Sequence, residues 1–99
     1  MCGIVGYIGN KKASPILING LLRLEYRGYD SCGIATISNN KFEILKSTKR
    51  ISDLEKISKE SSFSTIGIGH TRWATHGGVA IENAHPHLDN EKRFAVVHN

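Results

Sequence analysis

Gly33-Ile34-Ala35-Thr36-Ile37-Ser38-Asn39-Asn40-Lys41-Phe42-Glu43-Ile44-Leu45 is the stretch from which the fold class follows. Gly33 to Ser38 reads as a strand, Asn39-Asn40 as a two-residue turn, and Phe42 to Leu45 as the returning strand. A hairpin of this kind pairs its strands antiparallel. Towards the N-terminus, Gly3 to Ile8 is apolar and β-branched, punctuated by glycine, and predicts a short buried strand. Ser14-Pro15 opens a helix, with Ser14 as N-cap and Pro15 at the first helical position. Leu17, Leu21 and Leu24, flanked by Ile18 and Leu22, give that helix a broad apolar face. It is expected to end before Gly28. Towards the C-terminus, Ser52-Asp53-Leu54-Glu55 is a capping box for a short helix with Leu54 and Ile57 inward. Ser61-Ser62 breaks that helix, and Thr65 to His70 predicts a further strand. The chain from His70 to Asn90 is irregular. Phe94-Ala95-Val96-Val97 then reads as a final, buried strand that runs to His98. There is no G-x-G-x-x-G leading into a helix and no P-loop lysine, so a nucleotide-binding α/β fold is unsupported. The prediction is an α+β domain with antiparallel sheets.

The 99 residues fit one domain or part of one. Hydrophobic content of 39% with 22% charged residues is that of an ordinary water-exposed globular chain. No apolar run approaches the ~18 residues of a membrane span, and no charged segment precedes an apolar one at the N-terminus as in a signal peptide. A cytoplasmic location is expected, with Cys2 and Cys32 as free thiols. The net charge is +4 with 13 basic residues. These are dispersed, the densest cluster being Lys46, Lys49 and Arg50, without interleaved aromatics. No nucleic-acid partner and no membrane partner is expected. Complete domains rarely stop directly after a core strand, as this chain does at Asn99, so a fragment is expected.

Residue 2 carries the main chemical signal. Initiator Met is removed when the next side chain is small, and Cys is small. Trimming would leave Cys2 with a nucleophilic thiol beside an α-amine whose ordinary pKa is about 7.7–8.0. A nucleophile with its own base needs no catalytic His, as in the Thr/N-terminal-amine arrangement. From Cys2 alone an idle thiol is the favoured reading. A second cluster changes that balance. Arg72-Trp73-Ala74-Thr75-His76-Gly77-Gly78 follows a core strand directly, where loops place functional groups on rigid supports. Arg72 could hold a carboxylate through two hydrogen bonds, Thr75 and His76 could add to them, and the paired glycines permit a lid. The other reading is a plain strand exit. Arg27-Gly28-Tyr29-Asp30 forms a third cluster. A helix C-terminus explains Arg27 and Gly28 but not the density of Asp30 and Ser31. His85-Pro86-His87 lacks the spacing of a metal site, and histidines bonded to backbone carbonyls in a buried loop are expected instead. Asn99, leaving a strand end, could donate to an oxyanion.

In order, Cys2-Gly3-Ile4-Val5-Gly6, Leu24-Glu25-Tyr26-Arg27-Gly28-Tyr29-Asp30-Ser31, His70-Thr71-Arg72-Trp73-Ala74-Thr75-His76-Gly77, Asn83-Ala84-His85-Pro86-His87 and Val96-Val97-His98-Asn99 resemble one family along the whole chain. It is the glutaminase domain of the glutamine–fructose-6-phosphate aminotransferases, also called glucosamine-6-phosphate synthases. The Cys-Gly-Ile start is shared by all N-terminal-nucleophile (Ntn) glutamine amidotransferases. The Tyr-Arg-Gly-Tyr-Asp-Ser and Thr-Arg-Trp-Ala-Thr-His-Gly segments point to the hexosamine enzymes, since relatives making purine precursors or asparagine usually differ at both. The resemblance implies an Ntn-hydrolase four-layer α/β/β/α sandwich, incomplete at the C-terminus, with residues 1–99 as the N-terminal part of a type-2 glutamine amidotransferase domain. It implies hydrolysis of L-glutamine to glutamate and ammonia without metal or organic cofactor. In the intact, homo-oligomeric enzyme the ammonia converts fructose 6-phosphate to glucosamine 6-phosphate. Carried over by position, Cys2 is the nucleophile and its amine the base, and Asn99 is an oxyanion donor. Arg72, Thr75 and His76 bind the substrate carboxylate, Trp73 sits in the lid, and Arg27 lies beside the nucleophile. Cys32 and Val79 stand where the family commonly has alanine and proline. The second oxyanion donor and the acidic group for the substrate ammonium lie beyond Asn99 in that family. The isolated 99 residues are therefore expected to have little or no glutaminase activity. The alternatives are the glutaminase segment of an amidophosphoribosyltransferase-type enzyme and an inactive remnant.

Overall fold

In the computed structural model, which describes residues 2–27, 30–73 and 78–98, Asn39 and Asn40 have φ of 53° and 62°. Two successive left-handed residues make the tight hairpin turn whose twist matches its strands, and Asn tolerates that region better than most residues. The strands it joins are β2 (Ser31–Ser38) and β3 (Lys41–Ser47), so β2 begins two residues before the expected Gly33. Three further elements complete the main layers around them: β1 (Gly3–Ile8), helix α1 (Ala13–Leu24) and helix α2 (Ile51–Ser58). The fourth strand of the sheet, β4 (Ile66–Arg72), lies between β1 and β2 in the order β1-β4-β2-β3. Every pairing in it is antiparallel. The chain is thus α+β, with one mixed-order antiparallel sheet and two helices on one face. A second small sheet pairs β5 (His87–Leu88) with β6 (Ala95–Val96).

Alternation along the strands explains how the layers meet. Val5, Tyr7, Cys32, Ile34 and Leu45 face the helices and join Ala13, Leu17, Ile18 and Leu21 of α1 with Ile51 and Leu54 of α2 in the core. Full burial of each large aliphatic side chain is worth about 1.5–3 kcal/mol. On β4 the residues facing α1 are glycines. A Cβ at Gly67 would lie 2.6 Å from Leu17 Cδ1, so the absence of a side chain is what lets the helix approach. Ile66 and Ile68, which gave the strand its apolar pattern, face the other way. That second face carries Ile4, Ile8, Ile37 and Ile66, all exposed. The stretch from Arg93 to Ala95 borders it alongside Ala35, Phe42 and Ile68, which together line a shallow apolar groove.

Three expectations are corrected. Helix α1 starts at Ala13 with Lys12 before it, so Ser14 lies inside the first turn rather than at the cap. Its hydroxyl is 3.1 Å from that of Ser61, while the amide of Ala13 donates to the Ser64 carbonyl at 2.6 Å. A tertiary backbone bond thus takes the place of the side-chain cap. Helix α2 likewise starts two residues early, with Arg50 rather than Ser52 before its first turn. Asp53 Oδ2 accepts from the Arg50 amide at 3.2 Å, and Glu25 Oε2 accepts from the Ile51 amide at 3.4 Å. Carboxylates at this end suit the helix dipole. The shifted start turns Ile51, Leu54 and Ser58 inward and leaves Ile57 49% exposed. Finally, Phe94 to Val97 is not a buried strand. Phe94 is 63% and Val96 56% exposed, and only Ala95–Val96 pairs. Asp89 organises this hairpin instead, accepting from the amides of Arg93 at 2.6 Å and Phe94 at 2.8 Å.

Residues before the second hairpin cross the open face of the main sheet. A Cβ at Gly33 would collide with the backbone carbonyl oxygen of His85 and approach that of Leu45 at 3.1 Å. Backbone cannot yield as a side-chain tip can, so Gly33→Ala is expected to destabilise the protein by about 1–3 kcal/mol, as overpacked sites do. Gly6→Ala, with nothing within 4 Å of the added carbon, should leave the midpoint nearly unchanged. Urea titration of both variants in the full-length protein checks this difference.

Candidate active site

The site is assembled at one end of the sheet. Gly3 pairs with Thr71 across β1 and β4, and Ser31 pairs with Arg72 across β2 and β4. One residue beyond the first pair, Cys2 lies across from Arg72. Its Sγ accepts a hydrogen bond from the Trp73 amide at 3.3 Å. The Gly3 amide donates to Thr71 Oγ1 at 3.1 Å, in a buried position. Three strand termini therefore bring the half-buried Cys2, the buried Arg72 and the half-exposed Trp73 together. Of the other expected site residues, Thr75, His76, Asn99 and the Arg27 side chain lie outside the described residues.

Arg72 is held on two sides. Its Nη1 lies 3.5 Å from Asp30 Oδ1, with the two side chains only 10% and 16% exposed. The same nitrogen donates to the Gly78 carbonyl at 3.2 Å. Asp30 is fixed in turn by its amide, which donates to the Arg72 carbonyl at 2.7 Å, and by the Ser31 hydroxyl at 3.0 Å. Removing one partner of a buried ion pair typically costs about 3–5 kcal/mol, because the other charge is left poorly solvated. The density of Asp30 and Ser31 thus has a cause: they anchor the guanidinium. Asn83 also donates to the Gly78 carbonyl, at 2.9 Å, so the far end of the loop after Trp73 is pinned to Arg72 and Asn83 together.

The two thiols differ in kind. Cys32 is fully buried in the core, and burial, reinforced by the negative charges of Glu25 and Asp53, pushes its pKa up to about 12. It is a packing residue, whereas Cys2 is half-buried at the end of the sheet.

Behind Arg72 the imidazoles of His70, His85 and His87 pack in a row, with ring centroids 4.2 Å and 4.3 Å apart. His70 Nε2 lies 2.7 Å from the His98 carbonyl, which only accepts, so this nitrogen carries the proton. His70 belongs to strand β4, so this is not the backbone bond expected of the loop histidines His85 and His87. His70 Nδ1 and His85 Nδ1 are buried acceptors without a protein partner. Among the described residues no group of three His, Cys, Asp or Glu is placed to hold a metal ion. Burial lowers the pKa of His70, and burial with the neighbouring His70, His87, Arg72 and Lys46 charges lowers that of His85 to about 4.

Comparison with known proteins follows the same line. No protein-family model matches the chain. Curated relatives do, along all of it. The glutamine–fructose-6-phosphate aminotransferase [isomerizing] of Synechocystis sp. is 60% identical over 100 residues, covering 100% of this chain and 16% of that protein. The enzymes of the same name from Caldanaerobacter subterraneus and Methanococcus maripaludis are 58% and 54% identical, with the same coverage. Over its whole length the chain is similar to part of these aminotransferases. It spans about 16% of their length.

Of the expected site residues the structure brings Cys2, Arg72 and Trp73 together, and it gives two further groups contacts that the sequence does not indicate. Asp30 was noticed for its surroundings and not as the partner of Arg72. Thr71 stands in the motif segment 70–77 but has no expected role there, and β4 extends past the expected His70 to include it. Two measurements check the site chemistry. Iodoacetamide should modify Cys2 in the folded protein and reach Cys32 only after denaturation, as read by peptide mass mapping. The neutral form of His85 is favoured by folding, so the unfolded chain binds its proton first as the pH falls. Stability contributed by His85 is complete above about 6.5 and lost as the pH drops towards about 4. The melting temperature should fall across that window, and less steeply in His85→Gln.

Proposed function

We propose that this chain is the N-terminal part of a type-2 glutamine amidotransferase domain, which in the complete protein hydrolyses the side-chain amide of glutamine. The observation that carries this is the seating of Cys2 Sγ on the Trp73 amide at 3.3 Å, next to the buried Arg72. Relatives named glutamine–fructose-6-phosphate aminotransferase support it over the amidophosphoribosyltransferase alternative.

After loss of Met1, the α-amine of Cys2 takes the thiol proton, directly or through a water. The thiolate attacks the amide carbon of glutamine, forming the C–S bond and a tetrahedral oxyanion. Asn99 donates to that oxygen, a contact of a kind worth about 3–4 kcal/mol. The C–N bond breaks as the leaving nitrogen takes the proton from the amine, and ammonia departs. Water then hydrolyses the thioester to glutamate and restores the thiol. Arg72, with Thr75 and His76, holds the substrate α-carboxylate. Trp73 belongs to the lid and Arg27 lies beside the nucleophile. In the complete, homo-oligomeric protein the ammonia goes to fructose 6-phosphate and yields glucosamine 6-phosphate. The catalytic cycle calls on no metal, nucleic acid or membrane. No helix among the described residues is long and apolar enough to cross a membrane, and a cytoplasmic enzyme is the reading that fits.

The finer fold belongs to the same proposal. The face of the main sheet opposite the helices is apolar through Ile4, Ile37 and Ile66. A second sheet with its own helices, built from β5, β6 and chain beyond Asn99, would complete a four-layer Ntn-hydrolase sandwich over it.

Cys2→Ala in the full-length protein should lower glutamine-dependent ammonia release by about a thousandfold or more, as loss of a covalent nucleophile does. Arg72→Lys should raise KM for glutamine about tenfold, since an ammonium cannot make the paired carboxylate bonds. Undiminished ammonia release from Cys2→Ala would refute the proposal.

A further inference from the structure

From the contact between the Gly3 amide and Thr71 Oγ1, we infer that Thr71 is a positioning residue for the Cys2 nucleophile; this rests on the glutaminase reading. Once Met1 is removed, Cys2 has a single peptide bond to the rest of the chain. Nothing on its N-terminal side restrains it. Two hydrogen bonds then locate it: the Trp73 amide on its sulfur at 3.3 Å, and the Thr71 hydroxyl on the following amide at 3.1 Å. The second fixes the plane of the Cys2–Gly3 peptide. The directions in which the thiol and the α-nitrogen leave the strand follow from that plane.

The surroundings make this hydroxyl hard to replace. Thr71 is 1% exposed, so water is not at hand to take over the Gly3 amide. The residue it serves must be small: a Cβ at Gly3 would lie 2.9 Å from Thr71 Oγ1 and 2.7 Å from Leu24 Cδ1. A glycine directly after the nucleophile and a hydroxyl directly before Arg72 are therefore two halves of one contact. Backbone ladder bonds alone would set the strand register but not hold the first peptide of the strand at its frayed end. A side-chain acceptor does so there.

The test uses the full-length protein, with glutamine hydrolysis and Cys2 alkylation measured in parallel. Thr71→Val keeps the shape and removes the acceptor. Displacement of a reacting atom by about 1 Å can lower a rate about a hundredfold, so kcat is expected to fall by roughly tenfold to a hundredfold. KM for glutamine should stay within about threefold, because the carboxylate-binding groups are untouched. Thr71→Ser, which keeps the hydroxyl, should restore kcat to within about threefold of the parent. A merely structural role would instead lower stability without splitting kcat from KM. Equal kcat in Thr71→Val and Thr71→Ser, or a Thr71→Val enzyme as fast as the parent, overturns the inference. Such a result leaves the glutaminase proposal standing, provided that Cys2→Ala is inactive. If Thr71→Val does not fold, a crystal structure of the mature parent decides: a Gly3 amide bonded to Thr71 Oγ1 supports the inference, and a separation beyond 4 Å overturns it.

Discussion

Antiparallel pairing of β1 with β4 is the constraint on which everything else in this chain depends. It joins Gly3 to Thr71, 68 residues apart. Closing so long a loop is entropically unfavourable, although the penalty grows only slowly with length. Ladder hydrogen bonds and the burial of α1 across both strands offset it. Without that pairing Cys2 would be a disordered terminal residue and Arg72 a cation on a remote strand. With it, the start of one strand and the end of another are neighbours, and the thiol lies against the Trp73 amide.

The same geometry explains why the site is at this end of the sheet. Here the chain enters β1, leaves β4 and enters β2, so three backbone termini converge where side chains and amides are free of the ladder. Arg72 sits in that convergence largely removed from water, and its Asp30 partner keeps the charge solvated by protein instead. Through the Gly78 carbonyl the guanidinium also reaches the loop that follows Trp73. The element that would grip a carboxylate is thus bonded to the segment that would close over it.

Much of this was legible in the sequence, and the failures have physical causes. The Asn39-Asn40 turn was visible because few residues tolerate two left-handed conformations in succession. Cys2 stands out by its position together with the Arg72 cluster, and Arg72 by its place at the end of a strand. Both helices start two residues earlier than expected, because tertiary groups, the Ser64 carbonyl and the Glu25 carboxylate, take over from local capping side chains. Phe94 to Val97 reads as a core strand by composition, yet its apolar side chains are exposed over an incompletely covered sheet face. Gly67 and Gly69 make the seat on which α1 packs, a role that the alternation of the strand does not announce. No local pattern announces that a threonine hydroxyl will meet an amide from the far end of the chain.

The central claim is that a sulfur at residue 2, freed by removal of Met1, faces a bound glutamine. Treating the full-length protein with a glutamine analogue that bears an electrophilic ketone in place of the amide, followed by mass mapping of the peptides, tests it most directly. A single adduct is predicted, on Cys2, confined to molecules that lack Met1 and suppressed by excess glutamine. An adduct elsewhere, or labelling indifferent to glutamine, would contradict the account.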